Sequence, residues 1–195
     1  MEKEKSGSEP PDWDERYKKG YYDGADEPHD LLVRHAGLIP AGGRVADIAM
    51  GQGRDALYLA SRGFRVTGLE RSWQALKLAG ESMEARGLSV DIVQGDAESL
   101  PFKEGSFQGV IVFYFLLRQI APDITATLDR GGILIYETFL KRQNEVDRPR
   151  NPAFLLDDGE LLSLFPGFEA IHYDEGVRRD RGKVRATARL VARKI

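Results

Sequence analysis

Two hydrophobic patterns alternate along this chain from residue 28 onward. Short apolar runs predict β-strands, and longer segments with helical periodicity lie between them. The predicted strands are 44–50, 64–70, 88–94, 107–115 and 132–139, and the predicted helices are 28–37, 54–62, 72–86 and 122–128. Apolar strands that alternate with helices are typical of a parallel sheet covered on both faces, so we predict a doubly wound α/β fold.

The last part of the chain has a different pattern. Two strand-like runs, 168–176 and 184–193, are separated by a charged turn. In the second run, apolar and mostly polar residues alternate strictly. This alternation predicts an antiparallel hairpin at the end of a mainly parallel sheet. The basic residues between Arg178 and Lys194 are expected to lie on a solvated face of this hairpin.

Length and composition limit the classes of function. The 195 residues are 42% hydrophobic and 30% charged, which predicts one globular domain over 12–195 after a disordered tail, 1–11. The net charge of -3 gives no reason to expect a nucleic acid as partner. The chain has no cysteine, and its three histidines form no ligand pattern, so no metal site is expected. No apolar run is long enough to span a membrane, so we expect a cytoplasmic protein without a membrane partner, whose oligomeric state stays open.

A glycine-rich turn is the most informative segment. The first predicted strand leads into Gly51-Gln52-Gly53, and a helix begins directly after it. Glycines let the backbone approach a ligand, and the start of a helix offers free N–H groups. In a doubly wound sheet, this turn lies in the crevice at the carboxyl ends of the strands, where ligands bind. Residues 51–56 also satisfy the G-x-G-x-x-G/A dinucleotide fingerprint, which alone does not separate cofactor classes.

Three acidic residues help to distinguish a dinucleotide from a cofactor that carries an ammonium group. Asp47 lies four residues before Gly51, where a carboxylate would repel a pyrophosphate but suit an ammonium group. Glu70 ends the second strand and can accept hydrogen bonds from both ribose hydroxyls, which suits either cofactor class. Asp96 follows the third strand and can accept from an adenine amino group. Together they fit S-adenosylmethionine (SAM) better than NAD.

These residues carry a resemblance to a known family. Residues 47–53, DIAMGQG, resemble motif I of the class I methyltransferases, D-x-G-x-G-x-G. Glu70 matches the ribose-binding acid of that family, and Asp96 with Ala97 matches its adenine-proximal pair. Within the family, GQGRDALYLASRGFRVTGLERS and YETF resemble the tellurite-resistance-like and thiopurine-methyltransferase-like branch. The resemblance implies a seven-stranded sheet of order 3-2-1-4-5-7-6 with an antiparallel last strand.

The resemblance also implies a set of cofactor contacts. The residues expected at SAM are Tyr17, Asp47, Ala49, Met50, Gly51, Gly53, Glu70, Arg71, Asp96, Ala97 and Phe113. Ala49 replaces the first glycine of the motif, and Met50 stands where a small residue is common. Both changes lie beside the expected methionine moiety, so they predict weaker cofactor binding unless Met50 packs away from the ligand. Trp13 and Tyr17 either form a flap over the cofactor or pack as an ordinary amphipathic segment.

The acceptor side is less defined by the sequence. Tyr114, Arg118 and Glu137 follow or end the fourth and fifth strands, where a substrate should lie. Arg148 belongs to the polar segment 142–152, which is either a solvated loop or a lid over an anionic substrate. We expect a small-molecule acceptor, such as a thiol or a soft oxyanion like tellurite, and assign no catalytic residue because methyl transfer depends mainly on proximity. A non-catalytic SAM-binding module and an NAD-dependent oxidoreductase remain the alternatives.

Overall fold

The computed structural model describes residues 12–22, 27–147, 151–180 and 182–195. The helices are α1 (Trp13–Lys18), α2 (Asp30–His35), α3 (Arg54–Ser61), α4 (Trp73–Arg86), α5 (Ala121–Thr127), α6 (Gln143–Val146) and α7 (Glu160–Ser163). The strands are β1 (Arg44–Ile48), β2 (Arg65–Glu70), β3 (Asp91–Gln94), β4 (Phe107–Phe113), β5 (Leu128–Phe139), β6 (Phe168–Asp180) and β7 (Lys183–Lys194). Single 3-10 turns cover Ala36–Leu38, Arg118–Ile120 and Pro152–Phe154. The predicted tail, 1–11, lies outside the described residues.

All seven strands form one sheet of order β3-β2-β1-β4-β5-β7-β6. Strands β1 to β5 pair in parallel, whereas β7 pairs antiparallel with both β5 and β6. The predicted order and the antiparallel last strand are therefore confirmed. The order reverses between β1 and β4, so the crevice expected from the sequence opens at the carboxyl ends of these two strands.

Two apolar cores cover the two faces of the sheet. On β4, Val110 and Val112 belong to the core shared with α5 and α7, whereas Ile111 belongs to the core shared with α2 and α3. This alternation follows from the period of two along a strand. Because both faces are covered, the central strands read as continuous apolar runs in the sequence.

Several element ends differ from the sequence prediction. Strand β4 ends at Phe113 rather than residue 115, because Tyr114 has a φ of 54° and leaves the extended conformation. Strand β3 begins only at Asp91, and β5 begins earlier, at Leu128. The ends of α4 agree with the predicted helix 72–86: Ser72 caps its start by accepting a hydrogen bond from the Ala75 N–H, and Gly87 ends it with a φ of 61°.

The expectation of a solvated basic face on the hairpin is wrong for part of β7. Arg189 is 9% exposed and Thr187 is fully buried. Strand β7 lies inside the sheet, so its polar face packs against the rest of the fold instead of water. The buried Glu137 carboxylate of β5 pairs with Arg189 Nε at 3.0 Å, which explains why a cation stands there.

No helix among the described residues combines the length and apolar character needed to cross a membrane.

Candidate functional site

The turn after β1 has the backbone shape that a ligand crevice needs. Gly51 and Gly53 have φ values of 57° and 78°, and α3 begins directly after Gly53. A Cβ atom on Gly51 would lie 2.7 Å from the Tyr17 hydroxyl oxygen. Glycine is therefore favoured at position 51 both by its φ and by the limited space around it. Short separations in the sequence bring together Asp47, the glycine turn and the start of α3.

Asp47 is a buried carboxyl group with one open oxygen. Its side chain lies near the end of β1 and is 3% exposed. None of the described residues gives its Oδ2 atom a hydrogen-bond partner. Burial raises the pKa of Asp47 well above its usual value, and the nearby carboxylates Asp55 and Glu70 raise it further. An open buried carboxylate oxygen suits a cationic ligand group.

Glu70 supports the backbone around the crevice. Its Oε2 accepts from the Gly51 N–H at 2.9 Å, and its Oε1 accepts from the Ser72 N–H at 2.8 Å. Burial raises the pKa of this carboxyl group, although the backbone donors oppose the shift. Each carboxylate oxygen can accept a second hydrogen bond, so ribose contact by Glu70 stays a prediction that this geometry permits.

The Met50 side chain packs between α4 and β2. It is 7% exposed and clusters with Leu76 and Ala79. Its sulfur lies 1.9 Å from the position of a Cβ atom on Gly68, so the glycine in β2 provides the space for this side chain. Its Cε atom lies 3.0 Å from the position of a Cβ atom on Gly53, so it also borders the glycine turn, and its effect on cofactor binding stays a prediction.

Ala49 has an unfavourable backbone conformation. Its φ is 58°, in the left-handed region where residues with a Cβ atom are strained. We predict that Ala49→Gly increases the free energy of unfolding by about 0.5–1 kcal/mol. Glycine removes the backbone strain of the folded protein, and this gain is larger than the loss that comes from the greater entropy of the unfolded chain. Urea denaturation measures this, with Ala60→Gly in α3 as a control that should lose about 1 kcal/mol. An Ala49→Gly protein no more stable than the wild type would contradict the assignment of strain.

Helix α1 packs against the start of α4 and lies beside the glycine turn. Asp14 accepts from the Ser72 hydroxyl at 2.5 Å and from the Gln74 N–H at 3.1 Å, which fixes α1 to the start of α4. Tyr17 on the same helix lies close to Gly51, and burial raises the pKa of its hydroxyl. Tyr17 therefore lies where the flap alternative needs it, while Trp13 is only half-buried. Cofactor contact by Tyr17 stays a prediction.

The expected adenine side lies at the ends of β2 and β3. Arg71 Nη1 pairs with Asp96 Oδ2 at 3.2 Å, and both side chains are about half exposed. Asp96 Oδ1 also accepts from the Glu98 N–H at 3.0 Å. Ala97 is 7% exposed beside them. The structure thus brings the three predicted residues to one edge of the crevice, but their contact with a cofactor is not tested.

Aromatic rings meet at the carboxyl ends of β4 and β5. The Phe113 ring stacks on the His29 ring at 4.0 Å, and the Tyr114 ring stacks on the Phe139 ring at 4.6 Å. The guanidinium of Arg185 lies 4.4 Å from the centre of the Tyr114 ring and 5.7 Å from that of Phe139. We call Phe113, Tyr114, Phe139 and Arg185 the acceptor-side cluster. It provides flat apolar walls and one cation.

Two of the predicted substrate residues, Arg118 and Glu137, make contacts within the fold. Arg118 donates to Glu160, to the Ala153 carbonyl at 3.0 Å and to the Leu155 carbonyl at 2.8 Å, so it holds the segment after α6. Glu137 is 2% exposed and accepts from Thr187 Oγ1 at 2.9 Å in addition to pairing with Arg189. Both side chains are used structurally, and substrate contact by either stays a prediction. Arg148 lies outside the described residues, as does part of the proposed lid.

The sequence prediction missed His29 and the role of Asp55. His29 N–H donates to Asp55 Oδ1 at 2.8 Å, and the two side chains meet at 2.7 Å. The residues are 26 positions apart, so no local periodicity connects them. The only signal in the sequence is the position of Asp55 in the first turn of the predicted helix, where an ordinary capping role explains an acidic residue equally well. Among the described residues, no group of three or more His, Cys, Asp or Glu side chains is placed to hold a metal ion.

Comparisons with known proteins agree with this geometry. A family described as a methyltransferase domain matches residues 45–131. The chain is 34% identical over 140 residues to the 23S rRNA (uracil(747)-C(5))-methyltransferase of Pyrococcus abyssi, covering 70% of this chain and 33% of that protein. It is 24% identical over 140 residues to the probable S-adenosyl-L-methionine-dependent methyltransferase TehB of Haemophilus influenzae, covering 69% of this chain and 49% of that protein. The chain thus spans between one third and one half of the length of these relatives.

The fold is also similar to a solved structure. The crystal structure of TehB from Haemophilus influenzae matches with a TM-score of 0.75 and 21% identity, over 93% of this chain and 67% of that chain. At this identity, the likeness concerns the fold.

Proposed function

We propose that this chain is a class I SAM-dependent methyltransferase resembling the TehB branch, and that it transfers the methyl group of SAM to a small, anionic acceptor. The observation that carries the acceptor class is the acceptor-side cluster, in which one guanidinium lies over two aromatic rings. The proposed acceptors are thiolates and soft oxyanions.

The crevice fits the cofactor of this family. The open Oδ2 of Asp47 suits the ammonium of a methionine moiety, and the glycine turn leaves room for the ligand beside the start of α3. When bound, SAM supplies a methyl group that is already activated on a positively charged sulfur. The residues around it then need to orient the acceptor and exclude water, which can contribute about 7–11 kcal/mol in favourable cases.

The acceptor-side cluster supports a small anion for two reasons. A guanidinium against aromatic faces lowers the free energy of a bound anion while the rings exclude water. A thiolate or oxyanion is already nucleophilic, so the reaction needs no proton transfer from the protein. The net charge of -3 gives no support for a polynucleotide acceptor, although one relative is named as an rRNA methyltransferase.

The test is S-adenosylhomocysteine release with a panel of acceptors. Wild-type protein would be incubated with SAM and with small thiols, tellurite, selenite, neutral phenols or an rRNA transcript. We expect turnover with the anionic small molecules, and Arg185→Gln should lower their kcat/KM about tenfold, the loss of about 1.4 kcal/mol of charge stabilisation. Arg193→Gln, an exposed site at the other end of β7, is the matched control.

Other outcomes identify the alternatives. Turnover with the transcript alone would overturn the small-acceptor proposal. SAM binding without turnover on any acceptor would favour the non-catalytic binding module. Equal losses for neutral and anionic acceptors in Arg185→Gln would show that Arg185 supports the fold rather than the charge of the acceptor.

A further inference from the structure

A buried histidine and a buried aspartate form a fixed pair beside the crevice. His29 is 3% exposed and Asp55 is 5% exposed. Asp55 Oδ1 accepts from the His29 backbone N–H at 2.8 Å, and Asp55 Oδ2 lies 2.7 Å from His29 Nδ1. An ionised carboxylate only accepts hydrogen bonds, so Nδ1 carries the proton of the neutral ring. The other ring nitrogen, Nε2, is then an acceptor.

The group that faces Nε2 is the guanidinium of Arg54. Arg54 Nη2 contacts His29 Nε2, and Arg54 Nε lies 3.6 Å from Asp55 Oδ2. A guanidinium only donates, which requires the same tautomer that Asp55 imposes from the other side. The three side chains therefore form a chain of carboxylate, imidazole and guanidinium. Stacking on Phe113 holds the imidazole plane in this orientation.

These contacts fix the Arg54 side chain at the start of α3, next to the glycine turn. Arg54 is the first residue of α3, directly after Gly53, and its side chain is one-fifth exposed. Although burial raises the pKa of both Asp47 and Tyr17, the Arg54 charge opposes the rise at each of them. Asp47, near the end of β1, and Arg54, the first residue of α3, thus flank the glycine turn from its two sides in the chain. The turn carries a buried carboxyl group with an open oxygen on one side and a guanidinium on the other.

A carboxylate beside a guanidinium matches the two charges of an amino-acid zwitterion. We propose that His29 is a positioning residue that, with Asp55, holds Arg54 where it receives the carboxylate of the methionine end of SAM, while Asp47 receives the ammonium. This inference rests on the assignment of the crevice to SAM. It makes the site selective for the complete amino-acid end of the cofactor and not only for its adenosine and sulfonium parts.

The test is a comparison of SAM with decarboxylated SAM by titration calorimetry. The two ligands differ only in the carboxylate, and 5′-methylthioadenosine, which lacks both amino-acid charges, is the third ligand. We expect the wild type to bind SAM at least about tenfold more tightly than decarboxylated SAM. Arg54→Gln should bring the ratio of the two affinities, that for SAM over that for decarboxylated SAM, close to one. His29→Phe, which keeps a ring to stack on Phe113, should lower the ratio severalfold while binding decarboxylated SAM as the wild type does.

Arg62→Gln is the matched control, because Arg62 directly follows the same helix and its guanidinium lies near Tyr58 instead. The ratio should be unchanged in this variant. Equal weakening of SAM and decarboxylated SAM by His29→Phe would overturn the proposal and leave His29 a structural role. If Arg54→Gln keeps the wild-type ratio of the two affinities, the proposal is also overturned. Wild-type binding of methylthioadenosine but not of SAM would refute the zwitterion receptor, whereas failure of all three ligands would refute the cofactor site itself.

The ratio should also depend on pH through His29. The charged groups facing this ring are Asp55 and Arg54 from α3 and Glu137 from β5. Burial lowers the pKa of His29, although Asp55 opposes the shift, so the neutral ring is present at pH 7. Protonation at lower pH removes the acceptor at Nε2 and places a second cation beside Arg54. Because this pKa is lowered, we expect the wild-type ratio to be constant near the usual histidine pKa of about 6.5 and to fall only at lower pH, whereas the ratio of His29→Phe stays constant throughout.

Discussion

Asp47→Asn should bind SAM about 10- to 100-fold more weakly than the wild type, the effect of losing a hydrogen bond to a charged group worth about 1.5–3 kcal/mol. The substitution keeps the size of the side chain but removes the ionisable carboxyl group, whose Oδ2 has no hydrogen-bond partner among the described residues. S-adenosylhomocysteine should be weakened similarly, because it carries the same ammonium group. Calorimetric titration at one low salt concentration measures both affinities, with NAD as a ligand that wild type should not bind.

The same substitution should stabilise the ligand-free protein. Burial raises the pKa of Asp47, so the folded protein binds this proton more tightly than the unfolded chain does. Wild-type stability therefore falls as pH rises from about 4, the usual aspartate value, through the raised pKa. The Asp47→Asn protein has no carboxyl group at this position, so it does not lose stability in this way. Its urea midpoint should therefore exceed that of the wild type only above about pH 4.

Asp91→Asn, at an exposed position on β3, controls for a general effect of charge. Unchanged SAM affinity in Asp47→Asn, or tight NAD binding by the wild type, would show that the crevice does not select an ammonium group.

Glu70→Ala should weaken SAM by a similar factor, about 10- to 100-fold, because the carboxylate is the expected partner of both ribose hydroxyls. Its effect on stability should have the opposite sign. The Gly51 and Ser72 N–H groups lose their acceptor, which should lower the free energy of unfolding by about 1–3 kcal/mol. Calorimetry and urea denaturation measure the two effects separately.

Glu98→Ala, at an exposed position after β3, is the matched control and should change neither quantity. If Glu70→Ala destabilises the protein but binds SAM with wild-type affinity, Glu70 serves only the turn and not the ribose. Equal stabilities of Glu70→Ala and the wild type would contradict the backbone contacts described above.

Local patterns predicted most of the fold and the first half of the site. Strand and helix periods, together with the caps at Ser72 and Gly87, depend on neighbouring residues, so they can be recognised in the sequence. Asp47, Gly51 and Gly53 lie on one strand and the turn that follows it, and their juxtaposition is therefore also local. The sheet order came from the resemblance to a family and not from periodicity.

The remaining features depend on contacts between distant residues. His29 meets Asp55 only because α2 and α3 pack on the same face of the sheet. The burial of Arg189 follows from the position of β7 between two strands, which its alternating sequence does not reveal. The left-handed backbone of Tyr114 shortened β4 without any glycine to indicate it. Such features become visible only when the tertiary structure is known.

The position of β7 inside the sheet has a consequence for synthesis of the chain. A ribosome makes β5 more than forty residues before β7, the strand that pairs with it. During that interval, β5 has an unpaired edge and carries the apolar residues Ile133 and Ile135. Unpaired apolar edges of incomplete sheets are sites of aggregation in nascent chains. Stop codons or slow translation between β5 and β7 should therefore yield insoluble protein, even though every residue proposed to bind SAM has by then been made.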